Sequence, residues 1–120
     1  MSKMYITDRV IGAGVTGGTV DITVLSGIEG LCLAANRISI ENETNNGTVA
    51  RVGIVRNGVF ITLDYFAAFN ADVPQILRDS SIKVYEREDL VVRITSATTA
   101  DLIVIGVAYH VEPLAAETYV

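Results

Sequence analysis

Two Asn-Gly dipeptides, Asn46-Gly47 and Asn57-Gly58, each stand between runs of apolar and β-branched residues. Asn-Gly tolerates the positive φ angles that both central positions of a type I′ hairpin turn demand, so each pair marks a reversal between antiparallel strands. Their spacing predicts a three-strand meander over Leu31–Glu43, Thr48–Val55 and Val59–Asp64. Within the first of these strands the apolar parity slips. Leu31 and Leu33 are odd while Ile38 and Ile40 are even, which predicts a bulge or bend near Ala34-Ala35-Asn36.

The same reading extends along the chain. Val20-Asp21-Ile22-Thr23-Val24-Leu25 alternates as a strand, and Ser81–Tyr85, Leu90–Thr95 and Asp101–Val111 supply three more. Pairing of part of Met4–Val10 would add an eighth. Tyr65 to Asp79 breaks the rhythm and is expected to be a long connection folding back over a sheet edge, with Pro74 placed to start a helical turn. No segment sustains helical periodicity. Seven or eight short strands with a long non-hairpin connection in the middle predict an all-β fold, an antiparallel β-sandwich of jelly-roll (Greek-key) topology. At 120 residues the chain is one domain by length. It divides into a flexible Gly-rich N-terminal arm (1–19), the sandwich (20–113) and a C-terminal tail (114–120). In the arm Gly12, Gly14, Gly17 and Gly18 make residues 11–19 a hinge.

Half of the residues are hydrophobic and the mean hydropathy is +0.42, yet every apolar run is broken before it could span a bilayer. No membrane partner is expected, and the surplus apolar surface calls for burial between subunits. One run shows where. Leu102-Ile103-Val104-Ile105-Gly106-Val107-Ala108 has no polar face, and a strand apolar on both faces needs cover on both. The core covers one face, and a second subunit or the N-terminal arm the other. That nominates Ile103, Ile105, Val107 and Tyr109 as an oligomer interface.

Several chemistries are weighed and set aside. The net charge is −5 and the nine Lys and Arg are scattered singly, which argues against nucleic acid. Gly12-Ala13-Gly14-Val15-Thr16-Gly17 spells the dinucleotide fingerprint G-x-G-x-x-G. That motif needs a helix behind it and an acid about 20 residues on. Here strand formers follow Gly18, and the segment where the acid should stand reads Ala34-Ala35-Asn36-Arg37. No cofactor is expected. The lone cysteine, Cys32, lies among apolar neighbours and reads as a small buried hydrophobe. The lone histidine, His110, reads as a strand-end residue satisfied by a backbone group. Neither a metal site nor a nucleophile–base pair can be drawn from them. The acids Glu41, Glu43, Asp72, Asp79, Glu86, Glu88 and Asp89 match no calcium loop and read as solvated surface. Asn42-Glu43-Thr44 and Asn46-Gly47-Thr48 match the glycosylation acceptor pattern, but read as turn chemistry in a chain whose first residues carry no secretory h-region.

A short acidic jelly roll with a Gly-rich N-terminal arm, a charged turn Glu86–Asp89 feeding Leu90-Val91-Val92-Arg93-Ile94, and a closing apolar strand Asp101–Val111 resembles the small capsid decoration (cement) proteins of tailed bacteriophages. The resemblance covers most of residues 20–113 and is one of layout. It implies a non-enzymatic virion structural protein on the capsid surface. Such a subunit would be a homo-oligomer, a trimer by preference, bound to the major capsid protein through an arm carrying Tyr5, Val10 and Ile11. The alternative is a carbohydrate- or receptor-binding module of a virion using Tyr65, Phe66 and Phe69 as a ligand loop. An enzyme of cupin-like type is a distant third, since one histidine cannot supply the several that such sites gather.

Overall fold

The computed structural model describes residues 5–9, 19–43, 47–67, 70, 73–77, 82–95 and 103–113. These contain nine strands and no helix: β1 (Tyr5–Arg9), β2 (Thr19–Ser26), β3 (Leu31–Asn42), β4 (Val49–Arg56), β5 (Val59–Phe66), β6 (Gln75–Leu77), β7 (Ile82–Val84), β8 (Glu88–Thr95) and β9 (Ile103–Pro113). They form two antiparallel sheets. One runs β1-β9-β3, with β6 and β7 both on the far side of β3; the other runs β2-β8-β4-β5. The fold is an all-β sandwich, as the strand pattern predicts.

The pairings nest. β4 pairs β5, β3 pairs β6 and β7, β2 pairs β8, and β1 pairs β9. At the centre of the nest is the turn Asn57-Gly58, with φ of +53° and +77°. Both positions are left-handed, which gives the type I′ twist that two right-twisted strands need.

The other Asn-Gly pair does not make a hairpin. β3 and β4 lie in different sheets, so the chain from Asn42 to Val49 crosses between layers, and the meander expected over Leu31–Asp64 is cut at its first turn. Partner choice explains the difference. β3 finds its match in β9, from Leu31 opposite Pro113 to Asn42 opposite Ile103, and β4 finds its match in β8, with Ala50 opposite Ile94 and Val52 opposite Val92. The crossover is tied inside: Asn42 Nδ2 donates to Thr48 Oγ1 at 2.7 Å, and both residues are fully buried.

Other local expectations fare variously. The β3–β9 register shifts between Ala35 and Arg37, the bulge that the parity slip predicts. Before it Leu33 and Ala35 join the core, and after it Ile38 and Ile40 do. The expected connection over residues 65–79 contains more structure than its pattern suggests. β5 continues to Phe66, and Pro74 precedes a short strand, β6, rather than a helical turn. Proline suits that place, having no N–H to give to a ladder. Tyr5–Arg9 pairs with β9, so the first stretch of the N-terminal segment belongs to a sheet. The glycines of residues 10–18 and the tail 114–120 lie outside the described residues.

One core joins the layers. Ile38, Ile40, Ile103 and Ile105 from one sheet and Val52, Leu90, Val92 and Ile94 from the other are at most 1% exposed, and they belong to a single hydrophobic cluster. Each such side chain contributes roughly 1.5–3 kcal/mol by leaving water. The sandwich is closed at one corner by a backbone approach. Gly27 donates its N–H to the Glu88 carbonyl at 2.8 Å, and a Cβ at Gly27 would fall 1.8 Å from the Tyr85 carbonyl oxygen. Gly27→Ala is therefore expected to lower stability by about 1–3 kcal/mol through forced backbone movement. The check is the urea midpoint, which should fall at unchanged m-value.

Candidate functional site

The most unusual surface lies on β5. Of the seven large apolar side chains left well exposed among the described residues, four stand on this strand: Val59, Ile61, Leu63 and Tyr65, at 48–59%. β5 is also a free edge of its sheet. The β4–β5 register shifts between Val52 and Gly53, which leaves Leu63 as the extra residue of a bulge. Beside this strand the sandwich gapes. A cleft of about 470 Å³ opens between β5 and β7, its apolar lining made by Ile54, Ile61, Leu63 and Ile82.

An ion pair between the buried Glu88 and the exposed Arg56 closes one wall of the cleft. Glu88 is 4% exposed. Its Oε1 accepts the Tyr85 N–H at 3.0 Å, and its Oε2 accepts both Nε and Nη2 of Arg56. Burial pushes the carboxyl up, but the Tyr85 amide and the Arg56 guanidinium together outweigh it and hold the pKa below the ordinary value. With these partners the carboxylate is a strut that fixes the turn between β7 and β8, where Arg87 takes a φ of +68°.

A second polar group sits on the outer face of the other sheet. His110 on β9 meets Asn36 Nδ2 through Nδ1 at 3.0 Å and Glu112 Oε2 through Nε2 at 2.6 Å. Lys83 on β7 reaches Glu112 Oε1 at 3.2 Å. An amide nitrogen only donates and a carboxylate only accepts, so this arrangement fits a neutral ring with its hydrogen on Nε2. His110 and, behind it, Lys83 hold the Glu112 carboxyl below its usual range. The partners of His110 are thus side chains, not the backbone group that its strand-end position suggests. Cys32, opposite Glu112 in the ladder, is buried; burial pushes its thiol up against the opposing pull of Lys83. A thiol in that state is a poor nucleophile.

Next to this cluster the outer surface of β3 and β9 is a shallow dent of about 200 Å³ lined by Arg37, Ser39, Gly106 and Ala108. On the outer face of the opposite sheet, Asp21 takes a two-pronged contact from Arg93, at 2.8 and 3.0 Å. The Arg93 guanidinium lies 4.1 Å from the Phe60 ring centre.

The residues nominated from sequence are dispersed. Ile103, Ile105 and Val107 are 0–1% exposed within the single chain. They are committed to its own core, so a subunit interface built on them is corrected. Tyr109 leans on the same core, and the outward side of β9 is instead Val104, Gly106 and Ala108, all half-buried. Tyr65 and Phe66 are consecutive strand residues on opposite faces. Tyr65 is exposed with Arg51 5.0 Å from its ring centre, while Phe66 packs on the core. They therefore do not form one ligand loop, and Phe69 lies outside the described residues. Tyr5 is in β1; Val10, Ile11 and the glycine fingerprint lie outside the described residues. Asn42 is fully buried, which bars it from carrying a glycan. The β5 surface was missed in sequence although a signal exists: Val59, Ile61 and Leu63 share one parity and Phe60 and Phe66 the other.

Among the described residues no group of three His, Cys, Asp or Glu side chains is placed to hold a metal ion. No family model, curated protein or solved structure matches the chain.

The Glu88 strut makes a pH prediction. A carboxyl whose folded pKa is depressed contributes stability that is present above its unfolded value and lost as pH falls through the folded one. Glu88→Gln should cost roughly 1–3 kcal/mol at pH 7. The gap from wild type should narrow as pH falls below the ordinary glutamate range, through the depressed folded value; denaturant titrations from neutral to acid pH check it.

Proposed function

We propose that this chain is a non-enzymatic structural subunit of a viral shell, a decoration protein that binds the major capsid protein from the capsid surface. The observation that carries the reading is the environment of β9. Over Ile103–Ala108 this strand is apolar on both faces. Ile103, Ile105 and Val107 are wholly buried, while Val104, Gly106 and Ala108 form a strip that stays half wet. A central strand with such a face fits a flat partner pressed against the sheet.

The order of the strands supports the same reading. Nested antiparallel pairing across two sheets, β1 with β9, β2 with β8, β3 with β6 and β7, β4 with β5, is the pattern expected of a jelly roll, an architecture common in viral capsid domains. The polar groups agree with a structural role, since Glu88 with Arg56, His110 with Asn36 and Asp21 with Arg93 each join neighbouring strands. With β1 taken up by β9, the strip beside it is the leading candidate for shell contact, ahead of the N-terminal segment alone.

Ala108→Glu puts a charge on the strip without touching the core. In sedimentation of the native particle with the purified full chain, wild type should travel with a megadalton shell. Ala108→Glu should bind at least ten-fold more weakly while keeping the wild-type circular dichroism. Equal binding, or a native source in which the chain never leaves the low-mass fractions, would sink the reading.

A further inference from the structure

We propose that the dent between β3 and β9 seats one acidic side chain, an aspartate or glutamate of the shell protein, which Arg37 holds; this names the group recognised on the shell and rests on the shell reading.

Arg37 owes its position to the bulge in β3. Leu33 and Ala35 join the core before the register shift, and Ile38 and Ile40 do after it. Without the extra residue Arg37 would continue the odd series inward; with it, Arg37 and Ser39 stand on the outer face. There Arg37 lies opposite Ala108 and Ser39 opposite Gly106, and the four line the dent of about 200 Å³. Gly106 and Ala108 keep one side of it low. Its polar side chains are Arg37 and Ser39.

Charge selects the occupant. Among the described side chains Arg56, Lys83, Arg87 and Arg93 each meet an acid of the chain, and Arg51 lies by the Tyr65 ring. Arg37 is exposed and has no ion pair, hydrogen bond or ring contact among the described residues. A flat partner laid on Gly106 and Ala108 also takes water from the neighbouring guanidinium. A charge dried without a counter-charge opposes binding, so a partner that covers this strip must bring an anion to Arg37. A carboxylate matches the planar guanidinium fork with two parallel hydrogen bonds and keeps lone pairs for the Ser39 hydroxyl. Size and charge set its source. The dent is smaller than the roughly 300–1,000 Å³ of small-molecule pockets, and it suits the end of one side chain presented by a protein surface. Two copies of a chain of net charge −5 repel each other, which favours the shell protein over a second copy.

The test uses the full chain and the native particle. Wild type should sediment with the shell. Arg37→Gln should bind about ten-fold more weakly or worse, and Arg37→Lys should keep part of the affinity, both with wild-type circular dichroism, since Arg37 lies outside the core. The Arg37→Lys chain also reports what sits in the dent. A carbodiimide takes up the water released as an amine and a touching carboxylate form an amide, and peptide mass spectrometry of the sedimented complex should find position 37 linked to an aspartate or glutamate of the shell protein. Arg87→Lys, in the turn between β7 and β8, should give no link to the shell. If wild type never travels with the shell, the shell reading fails and this proposal falls with it. If wild type binds and Ala108→Glu weakens it while Arg37→Gln does not, the shell reading stands and the role of Arg37 is overturned. A link from position 37 to a second copy of this chain, or no link to the shell protein, would overturn the occupant.

Discussion

The β3–β9 ladder holds the rest of the structure in place. It joins residues 31–42 to residues 103–113, so the chain must bring two distant segments together before either sheet is complete. β9 then serves as the centre of its sheet, with β3 on one side and β1 on the other. Its inward residues Ile103, Ile105 and Val107 are the floor against which Leu90, Val92 and Ile94 of the other layer pack. Of the nested pairs only β4–β5 closes a short loop. Every other pair waits for longer closures, the topology that makes folding slow relative to stability. The Asn57-Gly58 turn is thus the one place where local chemistry alone can begin the nest.

How much of this was legible depends on the distance over which the cause acts. The strand identities and the bulge in β3 follow from apolar parity, a property of neighbouring residues, and both can be read directly. The Asn57-Gly58 hairpin is local too. Asn46-Gly47 has the same dipeptide and a different outcome. Gly47 does take a φ of +91°, as the dipeptide suggests, but the competing partner of β3 lies sixty or more residues away. Which strand wins is decided by the match between Leu33, Ala35, Ile38 and Ile40 and the residues of β9, a fact about pairs that no local window contains. β6 was hidden for the opposite reason: at three residues it is too short to show a period.

The site residues failed where facing had to be known. An all-apolar strand announces two covered faces without saying which residues face the protein's own core. The structure turns Ile103, Ile105 and Val107 of β9 into the core, so the interface nominated on them is corrected, and it is Val104, Gly106 and Ala108 that stay half-buried. The polar residues had the reverse problem. Glu88 reads as part of a charged surface turn, and it is buried because Arg56 and the Tyr85 amide offset the loss of water around its carboxylate. An ion pair between strands far apart in sequence leaves no mark in composition.

β5 and β9 have similar textures, and their different positions give that texture different meanings. In β9, at the centre of a sheet, both backbone edges are satisfied by β1 and β3, so its outward apolar strip asks for a flat partner laid over side chains. In β5, at the margin, the backbone itself is also unsatisfied on one side, so its apolar side chains ask for a strand. Two kinds of cover, one over a face and one along an edge, use different surfaces and do not compete.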